Sequence, residues 1–257
     1  MNHSALLKPN LTVAVVGCGG IASYLVRPLV MFLEHIKGVY RDNTLIDDWT
    51  TEMYLLDPDT IEPKNLTRQF RPQDVGENKA MALRGLVQGE LNPRRVTLTA
   101  VPEALSPKTV RKFRRWFLKD GLVCFACVDN HPSRILLQDE IARLNTGVLL
   151  AGGNEEHDGQ VQIYAKVNGK EIVPRIDAVH PEMKSAEGRF PDDPSCQEEA
   201  ESKPQLIWAN MAAALGMGSV FWNLLTDSLE RATDANEILF DLKNSPDMRP
   251  VFNGSVI

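Results

Sequence analysis

Leu11 to Val16 is a β-branched run that stops at glycine, which predicts a buried strand. From Ile21 to Ile36 the apolar residues recur at helical spacing with no interior glycine. Pro28 falls inside that helix and is expected to kink it or shorten its first turns. Lys37 to Thr51 is polar and reads as a loop. Glu52 to Leu56 predicts a second strand with Asp57 at its carboxyl end. Asn78 to Leu91 predicts a helix closed by Asn92-Pro93, and Val96 to Val101 a third strand. Pro107 to Leu118 predicts a helix, Leu122 to Val128 a fourth strand and His131 to Asn145 another helix. Val148 to Ala151 is a fifth strand running into Gly152-Gly153.

Strands alternating with helices predict a doubly wound, mostly parallel, Rossmann-like α/β sheet. Beyond Gly153 the pattern changes. Gln160 to Val167 alternates and predicts a strand added antiparallel to that sheet. Ile172 to Pro204 is polar and proline-rich, and a loop of that length is functional or disordered. Gln205 to Leu225 returns to an apolar helix containing Gly216 and Gly218, and an irregular strand and tail follow it. The expected organisation is a nucleotide-binding core, 1–158, and an extension of the same domain, 159–257, with a crossover loop at about 170–205 and the apolar helix at about 205–225. Phe221, Trp208 and Trp222 in that helix read as core or dimer interface rather than ligand-stacking residues.

Composition narrows the class. A chain of 257 residues with 43% hydrophobic and 24% charged positions builds a native core without disulfide or metal staples. The net charge of −6 gives no reason to expect a nucleic-acid surface. The local basic run Lys108, Arg111, Lys112, Arg114, Arg115 and Lys119 reads as the solvated face of a helix, with docking of an acidic partner as the alternative. No apolar run approaches the roughly 20 residues that span a bilayer. No signal-peptide pattern opens the chain, and its four cysteines are scattered. A cytoplasmic protein is expected.

Three predicted strand ends carry the candidate chemistry. Gly17-Cys18-Gly19-Gly20-Ile21-Ala22 follows the first strand; such a turn brings backbone N–H groups and a helix N-terminus close to phosphate. Alone it fits many dinucleotide-binding folds. Asp57 can hold a ribose by its hydroxyls, but it stands 37 residues after Gly20 (57 − 20), where a dehydrogenase places its acid at about 20. Asn65 and Arg68 share a face if their stretch is helical; Arg68 can grip a phosphate bidentately, and Lys79 adds a second cation near a helix start. Asp129 offers a carboxylate suited to Mg²⁺.

In this order, Gly17-Cys18-Gly19-Gly20, Asp57-x-Asp59, Asn65-Leu66-Thr67-Arg68-Gln69-Phe70, Lys79, Asp129-Asn130 and Arg134 resemble the ThiF/MoeB/ubiquitin-activating family of adenylating enzymes. The resemblance covers Leu11 to Asp158 and extends more loosely to about Leu225. It implies ATP·Mg²⁺ and a ubiquitin-like or sulfur-carrier β-grasp protein whose terminal Gly-Gly carboxylate attacks the α-phosphate. It further implies a homodimer and a possible downstream conjugating enzyme. By the same resemblance Gly17, Gly19 and Gly20 line the nucleotide, Asp57 holds the ribose, and Asn65, Arg68 and Lys79 hold phosphate charge. Asp59, Gln69 and Asn130 complete the nucleotide set, and Asp129 positions Mg²⁺.

The cysteines separate by context. Cys124 and Cys127 form a C-x-x-C inside a strand, where residues three apart face opposite sides. No second pair follows, so no zinc is expected. Cys18 reads as a packing residue. Cys196, in Asp193-Pro194-Ser195-Cys196-Gln197, matches the position where relatives carry an acyl-accepting thiol; an incidental loop cysteine is the alternative. Glu198, Glu199 and Glu201 follow it and oppose thiolate formation. The residues before Leu11 include no arginine to reach a neighbouring subunit's site. These departures are most similar to the stand-alone ThiF-type proteins of plasmids and phages, including the PRTRC members. The tRNA threonylcarbamoyladenosine dehydratase branch, a non-catalytic partner subunit and an NAD-dependent oxidoreductase are the alternatives.

Overall fold

Strand β1 (Asn10–Val16) is buried from Leu11 onward, as a strand with packed layers on both faces must be. In the computed structural model, which describes residues 10–35, 39–41, 44–46, 50–67, 70–184, 190, 207–226, 235–244, 247–252 and 255–256, it lies at the centre of the parallel part of a mixed sheet. It pairs in parallel with β4 (Thr50–Leu56) on one side and with β6 (Leu122–Ala126) on the other. β5 (Val96–Val101) extends the parallel part beyond β4, and β7 (Gly147–Asn154) beyond β6. The direction of strand addition therefore reverses at β1, and ligands of such sheets bind outside the carboxyl ends at that reversal.

Past β7 the sheet turns antiparallel. β8 (Asp158–Val167) pairs with β7 along its length, and β9 (Lys170–Val173) folds back on β8. β10 (Glu237–Asp241) pairs with β8, and β11 (Asp247–Phe252) and β12 (Ser255–Val256) follow outward. One sheet thus runs through both sequence halves.

Helices cover both faces. α1 (Gly20–His35), α2 (Lys79–Val87) and α6 (Ile207–Thr226) bury Leu25, Leu29, Leu83 and Phe221 against one face. α3 (Val110–Trp116), α4 (His131–Ala142) and α5 (Ile176–Val179) bury Phe113, Leu137 and Ile176 against the other. α6 approaches the sheet closely: a β-carbon on Gly152 would stand 2.7 Å from Met217 Sδ. Phe221 packs edge-on against Phe32 and Phe125, at centroid distances of 5.9 and 5.5 Å. Trp208 and Trp222 of the same helix are 61% and 50% exposed, so of the three aromatics only Phe221 belongs to the core.

Several elements depart from the sequence expectation. The polar stretch 37–51 contains a short hairpin, β2 (Val39–Arg41) with β3 (Thr44–Ile46), and β4 begins within it at Thr50. α1 continues through Pro28 to His35. α2 ends at Val87 and finishes in a 3₁₀ turn, because Gly89 breaks the propensity before Asn92 is reached. The polar segment from Ile172 holds the end of β9, α5 and a 3₁₀ turn at Pro181–Lys184. Three of the six residues of the basic run are salt-bridged: Lys112 with Glu103, Arg114 with Glu140 and Lys119 with Glu52. Among the described residues no helix is long and apolar enough to cross a membrane.

Candidate functional site

At the reversal point β1 ends in a turn whose backbone only glycine fits. Gly17 has φ +88°, and a β-carbon there would stand 2.6 Å from the Cys127 carbonyl oxygen. Gly17 N–H donates to Leu56 O at 2.8 Å and Cys127 N–H to Val16 O at 2.8 Å, so the ends of β4, β1 and β6 are tied together. Gly19 faces open space, and Gly20 opens α1.

Asp57 lies across this turn. Its Oδ2 accepts from Cys18 N–H at 2.5 Å and its Oδ1 from Asp59 N–H at 2.8 Å. Burial pushes its pKa up to about 6; Lys79 and the two backbone donors oppose that shift, and Asp59 adds to it. Asn78 caps α2 and also donates Nδ2–H to the carbonyls of Asp57 and Asp59, at 2.8 and 3.0 Å. This clamp fixes the loop after β4 to the start of α2, and Asn78 is a site residue the sequence reading did not single out. A polar residue just before a periodic helix was the available signal.

Lys79, the first residue of α2, reaches Asp59 Oδ2 at 2.8 Å with its side chain only 14% exposed. Burial works against its charge, but Asp57, Asp59 and Asp129 together outweigh burial and hold the ammonium above its ordinary range. The residues expected to work together at the first, second and fourth strand ends are therefore gathered around one buried cation. Asp59 is largely exposed and pairs with this lysine. Asp129 is exposed beyond β6, next to Asn130, whose Oδ1 caps α4 through Ser133 N–H at 2.9 Å.

Asn65 sits in a 3₁₀ turn, Pro63–Thr67, and is buried with its Oδ1 accepting from Glu62 N–H at 2.9 Å. Arg68, Gln69 and Cys196 lie outside the described residues. Cys124 and Cys127 pack toward opposite faces of the sheet, and burial pushes the Cys127 thiol up to about 12. Burial likewise raises the Cys18 thiol, which suits packing and not nucleophilic chemistry.

A groove of about 730 Å³ opens between the end of the β7–β8 hairpin and β10–β11, lined by Arg134, Gly153, Asn154, Gly159, Phe240 and Arg249. Arg134 is buried and donates through Nη2 to Val128 O and Gly152 O, at 2.9 Å each. It thereby joins the loop bearing Asp129 to the Gly152-Gly153 end of β7. A β-carbon on Gly153 would stand 2.9 Å from Arg134 Nη2, so this glycine keeps the groove open over the guanidinium.

The ThiF family model matches residues 8–214. The chain belongs to the ThiF family. A search of curated proteins finds no match. Among solved structures, this ThiF-family chain is similar to PaaA, with TM-score 0.62 and 15% identity, over 94% of this chain and 64% of that one. It is also similar to Escherichia coli MccB with ATP, with TM-score 0.60 and 17% identity, over 95% of this chain and 64% of MccB. MccB bound to N-formylated MccA gives TM-score 0.59 and 17% identity, over 96% and 65%. The chain thus spans about two-thirds of the length of these structures, and at this identity the likeness speaks for the shared fold.

Among the described residues no group of three or more His, Cys, Asp or Glu is placed to hold a metal ion. Mg²⁺ bound with a nucleotide needs less, because one or two carboxylates suffice when phosphates and water fill the remaining positions. Exposed Asp129 beside Lys79 fits that requirement.

Proposed function

We propose that this chain catalyses ATP-dependent adenylation of the C-terminal carboxylate of a ubiquitin-like or sulfur-carrier protein. The observation that carries the reading is the set of three carboxylates, Asp57, Asp59 and Asp129, around buried Lys79 beside a glycine turn, in a ThiF-family chain. A dehydrogenase needs no cation at that point, whereas a triphosphate does. MccB is seen with ATP in one structure and with N-formylated MccA in another, which supports a nucleotide and a second partner being bound on this fold.

In this reading Asp57 accepts hydrogen bonds from the ribose hydroxyls through lone pairs that Cys18 and Asp59 leave open. Gly17, Gly19 and Gly20 admit the phosphates to the mouth of α1. Lys79 and Arg68 neutralise phosphate charge, Asn65 hydrogen-bonds the phosphates, and Asp59 and Gln69 support the same pocket. Asp129 would hold Mg²⁺, which supplies further neutralisation of the phosphates, and Asn130 positions that aspartate. The substrate's terminal segment enters along the groove over Gly153, which lies between residues of the core 1–158 and of the extension 159–257. Its carboxylate oxygen bonds to the α-phosphorus while the bond to the bridging oxygen breaks and pyrophosphate leaves. Catalysis is alignment and charge stabilisation, with no protein nucleophile in this step. The Cys196 thiolate afterwards attacks the acyl carbon of the adenylate, the acyl–oxygen bond breaks, AMP leaves, and the thioester formed serves a downstream conjugating enzyme. Two copies associate through the exposed apolar face of α6.

The test is ATP–pyrophosphate exchange with β-grasp proteins encoded beside this chain. Exchange that depends on the partner's terminal glycine and is lost in Asp129→Ala supports the reading. Exchange that persists in Asp129→Ala contradicts the assignment of roles.

A further inference from the structure

Asn210 stands in the first turn of α6 and is 1% exposed. Its carboxamide lies against Gly20, the first residue of α1. A β-carbon on Gly20 would be 2.4 Å from Oδ1, 2.7 Å from Cγ and 3.0 Å from Nδ2. Every Cα–Cβ bond in a helix tilts toward the helix N-terminus. The space this amide fills is therefore beside the first residue of α1, tilted toward the helix N-terminus.

Two further observations bear on what the amide is for. Asn210 Nδ2 is buried and has no hydrogen-bond partner. Folded proteins pair almost all such groups, and a rare unpaired one needs its own explanation. The neighbouring buried positions of α6 are Ala209, Ala213 and Met217, so packing here is served by apolar side chains and does not require an amide. In addition, α1 has no acidic residue in its own first turn, and the carboxylate across the turn, Asp57, is engaged by the N–H groups of Cys18 and Asp59. An unpaired donor and a helix N-terminus lie together, and both are satisfied by an anionic oxygen.

We infer that Asn210 is a nucleotide-binding residue, whose Nδ2 donates a hydrogen bond to a phosphate oxygen of the nucleotide seated at the N-terminus of α1. This rests on reading the glycine turn as the ATP site, and adds to it a contact from the far end of the chain. It also gives Gly20 a second reason to be glycine: any side chain there would displace the amide.

Calorimetric titration of the full-length protein with ATP·Mg²⁺ and with adenosine tests this in wild type, Asn210→Asp and Asn210→Ala. Asn210→Asp keeps the shape, removes the donor and sets a carboxylate against phosphate. Its Kd for ATP should rise at least 10-fold and that of Asn210→Ala about 5-fold, with adenosine affinity within twofold of wild type in both. An equal loss for ATP and adenosine would show a packing role and overturn the inference. So would ATP affinity within twofold of wild type in both variants. If neither variant folds, the Asn side-chain amides of selectively ¹⁵N-labelled wild type decide: one buried amide resonance must shift with ATP and stay unmoved with adenosine. Wild type that binds no ATP overturns the ATP site itself; wild-type binding with unaffected variants overturns the role of Asn210 alone.

Discussion

The backbone N–H of Cys18 donates to Asp57 Oδ2 at 2.5 Å, joining two strand ends 39 residues apart in sequence. The glycine turn and the acidic residue are thereby one structural unit, and a change in the charge of Asp57 is felt by both.

The charge of Asp57 makes the first prediction. Its folded pKa of about 6 lies above the ordinary 3.8, so the folded state holds an extra proton between those values. Its contribution to stability is fully present below about pH 4 and is lost as pH rises through about 6, by on the order of 2–3 kcal/mol. Asp57→Asn should flatten this part of the stability profile and raise Tm at pH 7, while weakening ATP binding. Wild-type ATP affinity should fall as pH drops through 6, and the variant should lose that dependence. Denaturation followed from pH 4 to 8, with ATP titrations at the two ends, checks both effects.

Lys79 remains cationic across that range because Asp57, Asp59 and Asp129 outweigh its burial. Lys79→Met should lower ATP–pyrophosphate exchange by about 100- to 1000-fold, the cost of removing one charge-stabilising donor. Asp59→Asn, at the exposed end of the same ion pair, should change stability by less than about 0.5 kcal/mol. Exchange within threefold of wild type in Lys79→Met would remove this lysine from the reaction.

Gly17 and Gly19 differ sharply although they are two residues apart. Gly17→Ala combines a left-handed backbone with a collision against the Cys127 carbonyl, and should cost about 2 kcal/mol or more, roughly 4–8 °C in Tm. Gly19→Ala meets no atom within 4 Å and should melt close to wild type. Equal melting temperatures for the two variants would mean that the turn is not held as described.

The outer face of α6 tests the quaternary proposal. Trp208 and Leu215 lie seven residues apart on one stripe (215 − 208) and are 61% and 63% exposed. The double variant Trp208→Asp, Leu215→Arg should be monomeric by light scattering, with Tm lowered and more dependent on concentration only in wild type. A wild-type monomer would remove the homodimer from the account.

The parallel core was legible because three of its strands are largely apolar runs that stop at Gly17, Asp57 or Asp129, and chemistry at carboxyl ends follows from that topology. The hairpin at Val39–Ile46 was not, since three-residue strands leave no period to read. Asn65 was expected to share a helical face with Arg68, yet its oxygen is engaged in closing its own 3₁₀ turn, a local bond that residue type alone did not reveal. The groove at Arg134 and Gly153 arises where β7 turns back into β8, and a glycine pair at a strand end was its only trace. Asn210 had no trace at all: in an apolar helix, its significance depends on Gly20 lying against it after folding.

Thermal stability with ATP·Mg²⁺ against NADH, with Asp129→Ala as control, is the most direct test that this is an ATP site. Ligand at about 100 times its Kd adds roughly 2.7 kcal/mol, or about 5–10 °C for a protein of this size. An ATP site gives that shift with ATP·Mg²⁺ alone, diminished in Asp129→Ala. A shift with NADH alone would contradict it.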